Sequence, residues 1–372
     1  MSSAKMIQPD LEFVKEITAQ GGGESLKKCF QCATCSVVCN LTHSDKPFPR
    51  KEMLWAQWGL KDRLMGDPDV WLCHQCSDCT AYCPRGAKPG EVLGAVRRMS
   101  IKANSWPGFL GGLVGSPAGL LPLFLLPVFI FGAIIMGLGR LDHLHGPIVY
   151  EKLMPIPAVD TVFILTALFA CLSFFLGVTK LWKAMSDSTG RAGAQGSVVP
   201  AIIETIKEII AHKRFDKCDV AKGRASAHKF VFWGFAGLAV VTTVAIIYLY
   251  GFHWESPYDM KNPVKWLAFV SMLSLLYGIF SVIANRNANA GKAGKGGYFD
   301  WLFIYIIVGV ALTGTLSWGI RLLDIAPLAY TIYFFHLVFI FCLFAYAPFS
   351  KMAHMVYRTT AMVFARHTGF DK

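Results

Sequence analysis

The chain has 372 residues, 54% hydrophobic and only 16% charged, with a formal net charge of +12. An ordinary soluble protein carries about 25% charged residues, so the depletion favours a membrane protein and excludes disorder, a coiled coil and a small disulfide scaffold. The positive balance alone would suit a nucleic-acid binder, but apolar runs of membrane-spanning length in the same chain argue against that partner.

Residues 1–105 are mixed and water-compatible, and Met1 to Val14 holds no apolar core of signal-peptide length, so we expect no export of this part. Eight of the eleven cysteines lie here, between Cys29 and Cys83. Such crowding predicts a metal or redox site in one region. Cys29, Cys32, Cys35 and Cys39 are spaced C-x2-C-x2-C-x3-C, and Cys73, Cys76, Cys79 and Cys83 repeat the spacing, with Pro84 after the second run. Three thiolates at that spacing wrap one face of a cubane cluster, and the fourth leads to the other cluster. Ligands are therefore expected to be exchanged between runs: one [4Fe–4S] cluster on Cys29, Cys32, Cys35 and Cys83, the other on Cys73, Cys76, Cys79 and Cys39. Zinc is the competing reading, but zinc ribbons present C-x2-C pairs rather than four cysteines in eleven residues, twice. His74 is read either as a hydrogen-bond donor to cluster sulfur or as a surface residue beside the site.

A Gly/Pro-rich junction, Trp106 to Gly119, leads into six apolar stretches, roughly 118–139, 158–182, 228–250, 264–285, 298–320 and 327–349. Each is long enough to cross about 30 Å of hydrocarbon as a helix. Trp182, Trp254, Trp266, Trp301 and Trp318 lie near their ends, as an interfacial belt requires. Segments 180–229, 286–295 and 351–372 hold ten, three and four Lys or Arg, seventeen together, against two, two and one in 140–157, 251–265 and 321–326. The positive-inside rule then places the cysteine domain and the C-terminus in the cytoplasm, with the spans in the inner membrane.

Between the second and third spans, Val199, Ile202, Ile203, Ile206, Ile209 and Ile210 follow helical spacing, with Glu204, Lys207 and Glu208 opposite. This segment, near 197–213, is predicted to lie on the membrane surface or against a partner subunit. The tract from Asn285 to Gly297 reads as a flexible basic loop.

Histidines on the spans are haem candidates, because a histidine buried in a lipid-embedded helix is functional by default. His336 lies inside the sixth span and His354 follows 18 residues later, five full turns of helix, so both are expected to share a face about 27 Å apart. His228, opening the third span, is the expected partner of His354 in a proximal haem b. For a distal haem on His336, His143 or His145 in the outer loop is the expected second ligand. His212 and His367 are expected at the surface.

These residues carry a resemblance. His336-Leu-Val followed by Pro348-Phe349-Ser350-Lys351 and His354 resembles the last haem-binding helix of the nitrate reductase gamma family, and His228-Lys-Phe resembles the start of its other haem helix. Leu238 stands where that family has a second histidine, so the distal haem is only half supported. The cysteine domain resembles the C-subunit family of heterodisulfide reductases. The fusion resembles the C-subunit family of quinone-interacting membrane-bound oxidoreductases (Qmo) of sulfate reducers.

The expected fold is therefore all-α: a helical ferredoxin-type iron–sulfur domain over 1–105, then a six-helix transmembrane cytochrome b bundle over 106–372. The resemblance implies a subunit of a quinone-dependent oxidoreductase complex. It would oxidise menaquinol and pass electrons through haem b and the two clusters to flavin- and iron–sulfur-bearing cytoplasmic subunits, and on to adenylylsulfate reductase. Flow in the opposite direction, or an anchor and relay without its own quinone pocket, stays open.

Overall fold

The computed structural model describes residues 8–191, 196–212, 222–294 and 296–370, and within them no strand occurs. The cysteine-bearing half packs around helices α1 (Leu11–Ala19), α2 (Arg50–Gln57), α3 (Pro68–Leu72) and α4 (Pro89–Asn104). Asp10 caps α1 by accepting from Phe13 N at 2.9 Å, and the helix buries Phe13 and Ile17. These meet Leu26, Met53, Leu64 and Val96 in a core that fixes the two cysteine runs against each other.

One ionic clasp joins α2 to the start of α3. Lys51 Nζ lies 3.1 Å from Glu52, 3.2 Å from Asp67 and 3.1 Å from Asp69. Glu52 is 0% exposed. Burial, then the Asp67 charge, push the Glu52 carboxyl well above its usual range and the Asp69 carboxyl up to about 6. Lys51→Met should therefore destabilise this half by about 3–5 kcal/mol, because buried carboxylates lose their counter-charge. Carboxyls with a raised folded-state pKa bind more protons when folded, so their effect on stability worsens as pH rises from the unfolded value towards about 6. Thermal unfolding at pH 5 and 7 should show the variant less impaired at pH 5; equal losses would contradict this.

Among the described residues, six helices are long and apolar enough to cross a membrane. They are α5 (Leu120–Gly137), α6 (Ile156–Thr189), α8 (Lys222–Phe252), α9 (Pro263–Ala288), α10 (Tyr298–Leu322) and α11 (Ala326–Ala345), with α7 (Val199–Ala211) between the second and third. Phe129, Leu168, Phe175 and Ile246 are exposed on their outer faces, where lipid would cover them. Helix α8 pairs with α9 and α10 with α11, while α5 and α6 lie against α11.

The sixth span stops at Ala345, not near residue 349. Pro348 cannot continue the hydrogen-bond ladder, and a 3-10 turn at Ala347–Phe349 separates it from α12 (Ala353–Thr368). His336 and His354 thus stand on different helices, and the shared face expected from a continuous helix does not exist.

Helix α6 has 34 residues, about 51 Å, so its last turns project beyond the hydrocarbon. There Leu181 and Met185 join Trp71, Tyr357 and Phe364 in a core shared by both halves of the chain. Tyr357 reaches α6 because Gly177 lacks a Cβ, which would collide with its hydroxyl. The tract after Asn285 also departs from the flexible loop expected. Helix α9 runs to Ala288, and Gly294 and Gly296 press against Glu91, Arg286 and Asp300. Asp300 pairs with Lys351 and lies 3.9 Å from Arg98 of α4. The cysteine half is thus docked on the side of the bundle that carries the lysine- and arginine-rich segments.

Candidate functional site

Each cysteine run begins in extended backbone and winds through two left-handed residues, Gln31 and Ala33 in the first, Gln75 and Ser77 in the second. Alternation of left- and right-handed residues turns backbone N–H groups into an anion-binding concavity, which suits a sulfur-rich cluster. One-turn helices, Thr34–Val37 and Asp78–Ala81, then carry the third cysteine of each run. The two runs have the same backbone as well as the same spacing.

The runs interlock. Cys29, Cys32, Cys35 and Cys83 line one recess, with Arg50 and Arg85 at its wall. Cys39 lies instead in the electrostatic neighbourhood of Cys73 and Cys76, as does Cys79. Burial pushes the thiols of Cys35 and Cys39 up to about 11 and about 12, and that of Cys79 up as well. Cys32 goes the other way, lowered by its contact with the Thr34 hydroxyl. Buried thiols of this kind become thiolates only with cations among them, which the iron of a cluster supplies.

The cysteine sulfurs are not gathered as a zinc site would hold them. Tetrahedral zinc would hold its sulfurs about 3.8 Å apart. Among the described residues, only Glu52, Asp67 and Asp69 bring three such ligand atoms within 4.8 Å of one another; no three cysteine sulfurs do. That carboxylate trio already surrounds Lys51.

Sulfur also receives hydrogen bonds: Gln31 Nε2 donates to Cys29 Sγ at 3.4 Å, Gln75 N to Cys73 Sγ at 3.3 Å and Ala87 N to Cys83 Sγ at 3.3 Å. Such bonds set cluster potentials. The glutamines were legible in principle, since both runs read Cys-x-Gln-Cys. His74 is half-buried within the second run.

The histidines are placed less simply. His354, at the start of α12, lies beside Trp71 with ring centroids 5.8 Å apart. His228, in α8, faces His212 at 5.8 Å. His212 is buried, not at the surface as expected, because its left-handed backbone ends α7 and turns the ring onto Phe232. His367 is half-buried and packs on Trp182.

His336 shares a hydrogen bond through Nδ1 with Thr313 Oγ1 at 3.0 Å, which orients the ring. Gly314 makes room for the ring, since a Cβ there would lie 2.9 Å from it. The ring is thus held in place, as a residue that was to hold a haem would need to be. His145 is exposed in its loop, its carbonyl held by Lys152 at 2.9 Å, and the His143 side chain lies outside the described residues. Leu238 packs among apolar residues of α9 and α10.

Two contacts missed by sequence reasoning join the halves: Arg358 of α12 donates to the Cys73 carbonyl, and Trp71, two residues before Cys73, touches His354 and Tyr357. No sequence spacing links α3 to α12.

Two family models match the chain. Residues 25–87 match the 4Fe-4S dicluster domain family, and residues 117–370 match the family described as citrate utilization protein B. The cysteine half is 38% identical over 95 residues to the C-subunit of the H(2):CoB-CoM heterodisulfide,ferredoxin reductase of Methanothermobacter marburgensis, covering 26% of this chain and 51% of that protein. It is 39% identical over 87 residues to a heterodisulfide reductase C-subunit-like protein of Archaeoglobus profundus, covering 23% and 46%. Against the succinate dehydrogenase iron-sulfur subunit of Paracoccus denitrificans the identity is 26% over 106 residues, covering 25% and 41%. The chain spans about half the length of the curated relatives it matches. No solved structure matches it. Together these findings make the chain an iron–sulfur electron-transfer protein, similar to heterodisulfide reductase C-subunits in its cysteine half and built onto six membrane-length helices.

Proposed function

This chain belongs to the citrate utilization protein B family, and we propose that it exchanges electrons between menaquinol in the inner membrane and a cytoplasmic redox partner. The carrying observation is the direct seating of a dicluster cysteine half on the ends of the membrane helices, through Arg358 and Trp71.

The proposed division is 1–105 for the iron–sulfur domain and 106–372 for the membrane domain. Cys29, Cys32, Cys35 and Cys83 hold one [4Fe–4S] cluster; Cys73, Cys76, Cys79 and Cys39 hold the other. His228 and His354 are the proposed ligands of a proximal haem b. His336, with Thr313 orienting its ring, serves a distal one, whose second ligand is His143 or His145. Clusters and haem supply one-electron steps when bound. The protein fixes the thiolates, donates hydrogen bonds to their sulfurs and keeps water from Cys73 and Cys79. By likeness to the Qmo family, the partners are flavin- and iron–sulfur-bearing subunits that lead to adenylylsulfate reductase.

Iron and acid-labile sulfide analysis of anaerobically purified full-length protein should approach about eight irons per chain, with two interacting EPR centres on reduction. Zinc in place of iron would overturn the ligand assignment.

A further inference from the structure

We infer that the two clusters hold unequal, fixed places: the second-run cluster is the membrane-side member, and the first-run cluster is the surface member, whose basic and apolar rim takes a redox protein with an acidic rim. The inference rests on the ligand sets proposed above and assigns them an order.

The membrane-side place follows from what surrounds Cys73. Trp71 is 0% exposed and wedged between His354 and Tyr357 of α12, with ring centroids 5.8 and 5.4 Å away. Arg358 binds the Cys73 carbonyl itself. Leu72 is buried against Met362 and Ala365 of the same helix. Cys73 and Cys79 are buried, and Cys39 and Cys76 half-buried. The second-run site is thus enclosed by the chain that continues from the sixth span.

The first-run site is open. Cys32 is exposed, Phe30 is 66% exposed and Val37 is 83% exposed. Exposed Lys27, Lys28, Arg85 and Lys88 stand along the same segments, with the Arg85 guanidinium 4.2 Å from the Phe30 ring centroid. Lone exposed apolar side chains need no explanation, but apolar groups beside an exposed cluster ligand and ringed by cations form a charged docking rim. The complementary partner is acidic around its own cofactor. Passage is a one-electron exchange, one centre oxidised as the next is reduced, with no bond made or broken.

The test uses the full chain in lipid nanodiscs, both clusters reduced with dithionite and their EPR signals assigned with Cys32→Ser and Cys76→Ser. Aqueous dysprosium–EDTA should accelerate relaxation of the signal altered by Cys32→Ser by at least about twofold more than that altered by Cys76→Ser, since dipolar relaxation falls steeply with distance. Equal or reversed sensitivity would overturn the order. Failure to find two cluster signals would overturn the ligand reading instead. For the rim, an acidic [2Fe–2S] ferredoxin is the probe: Lys28→Glu with Arg85→Glu should slow its electron exchange about tenfold at low salt, with the difference fading at high salt. An unchanged rate and salt slope would exclude the docking surface.

Discussion

Cys39→Ser is expected to damage the cluster held mainly by the second cysteine run, although Cys39 belongs to the first. The thiol sits with Cys73 and Cys76 rather than in the recess of Cys29, Cys32 and Cys35. Its loss should lower iron below about eight per chain and change the EPR signal of that cluster, because one of its irons loses a thiolate ligand. Cys83→Ser should do the reciprocal damage. EPR of the reduced variants distinguishes the cases: the signal altered by Cys39→Ser should be the one altered by Cys76→Ser. If it matches Cys32→Ser instead, each run holds its own cluster and the exchange is wrong.

Haem content should respond as sharply to histidine substitution. His354→Ala and His228→Ala should each abolish the same haem b absorbance, about half of the total by pyridine haemochrome, since one iron needs both imidazoles. His336→Ala should abolish the other half, and Thr313→Val should weaken that haem about 10–100-fold by freeing the ring it orients. His212→Ala is the control that the structure demands, because the His212 ring also faces His228, with centroids 5.8 Å apart. Loss of haem in His228→Ala and His212→Ala but not in His354→Ala would replace the proposed pair.

The cysteine chemistry was legible because its signal is local. Four thiols within eleven residues constrain the backbone whatever surrounds them, and the structure repeats the same left-handed turns in both runs. The six spans were legible for a similar reason: length and apolarity are set by the bilayer, not by neighbouring helices. What failed depended on tertiary context. Hydropathy continues smoothly past Ala345, so the break at Pro348 hid behind apolar neighbours, and spacing alone put His354 on one helix with His336. The glycine-rich tract after Asn285 looked unstructured because its partners, Glu91 and Asp300, belong to other elements. His212 looked like a surface residue because nothing in its flanking sequence announces His228 and Phe232 packed on it. Trp71 carried no motif at all.

The lipid-facing half of the account comes down to whether quinol can reach the clusters. Full-length protein in nanodiscs, assembled anaerobically, should be mixed with a reduced menaquinol analogue and followed together by haem absorbance and cluster EPR. The account predicts that both develop, with cluster signals reaching a substantial fraction of those given by dithionite. Clusters that dithionite reduces while the quinol leaves haem and clusters oxidised would contradict it.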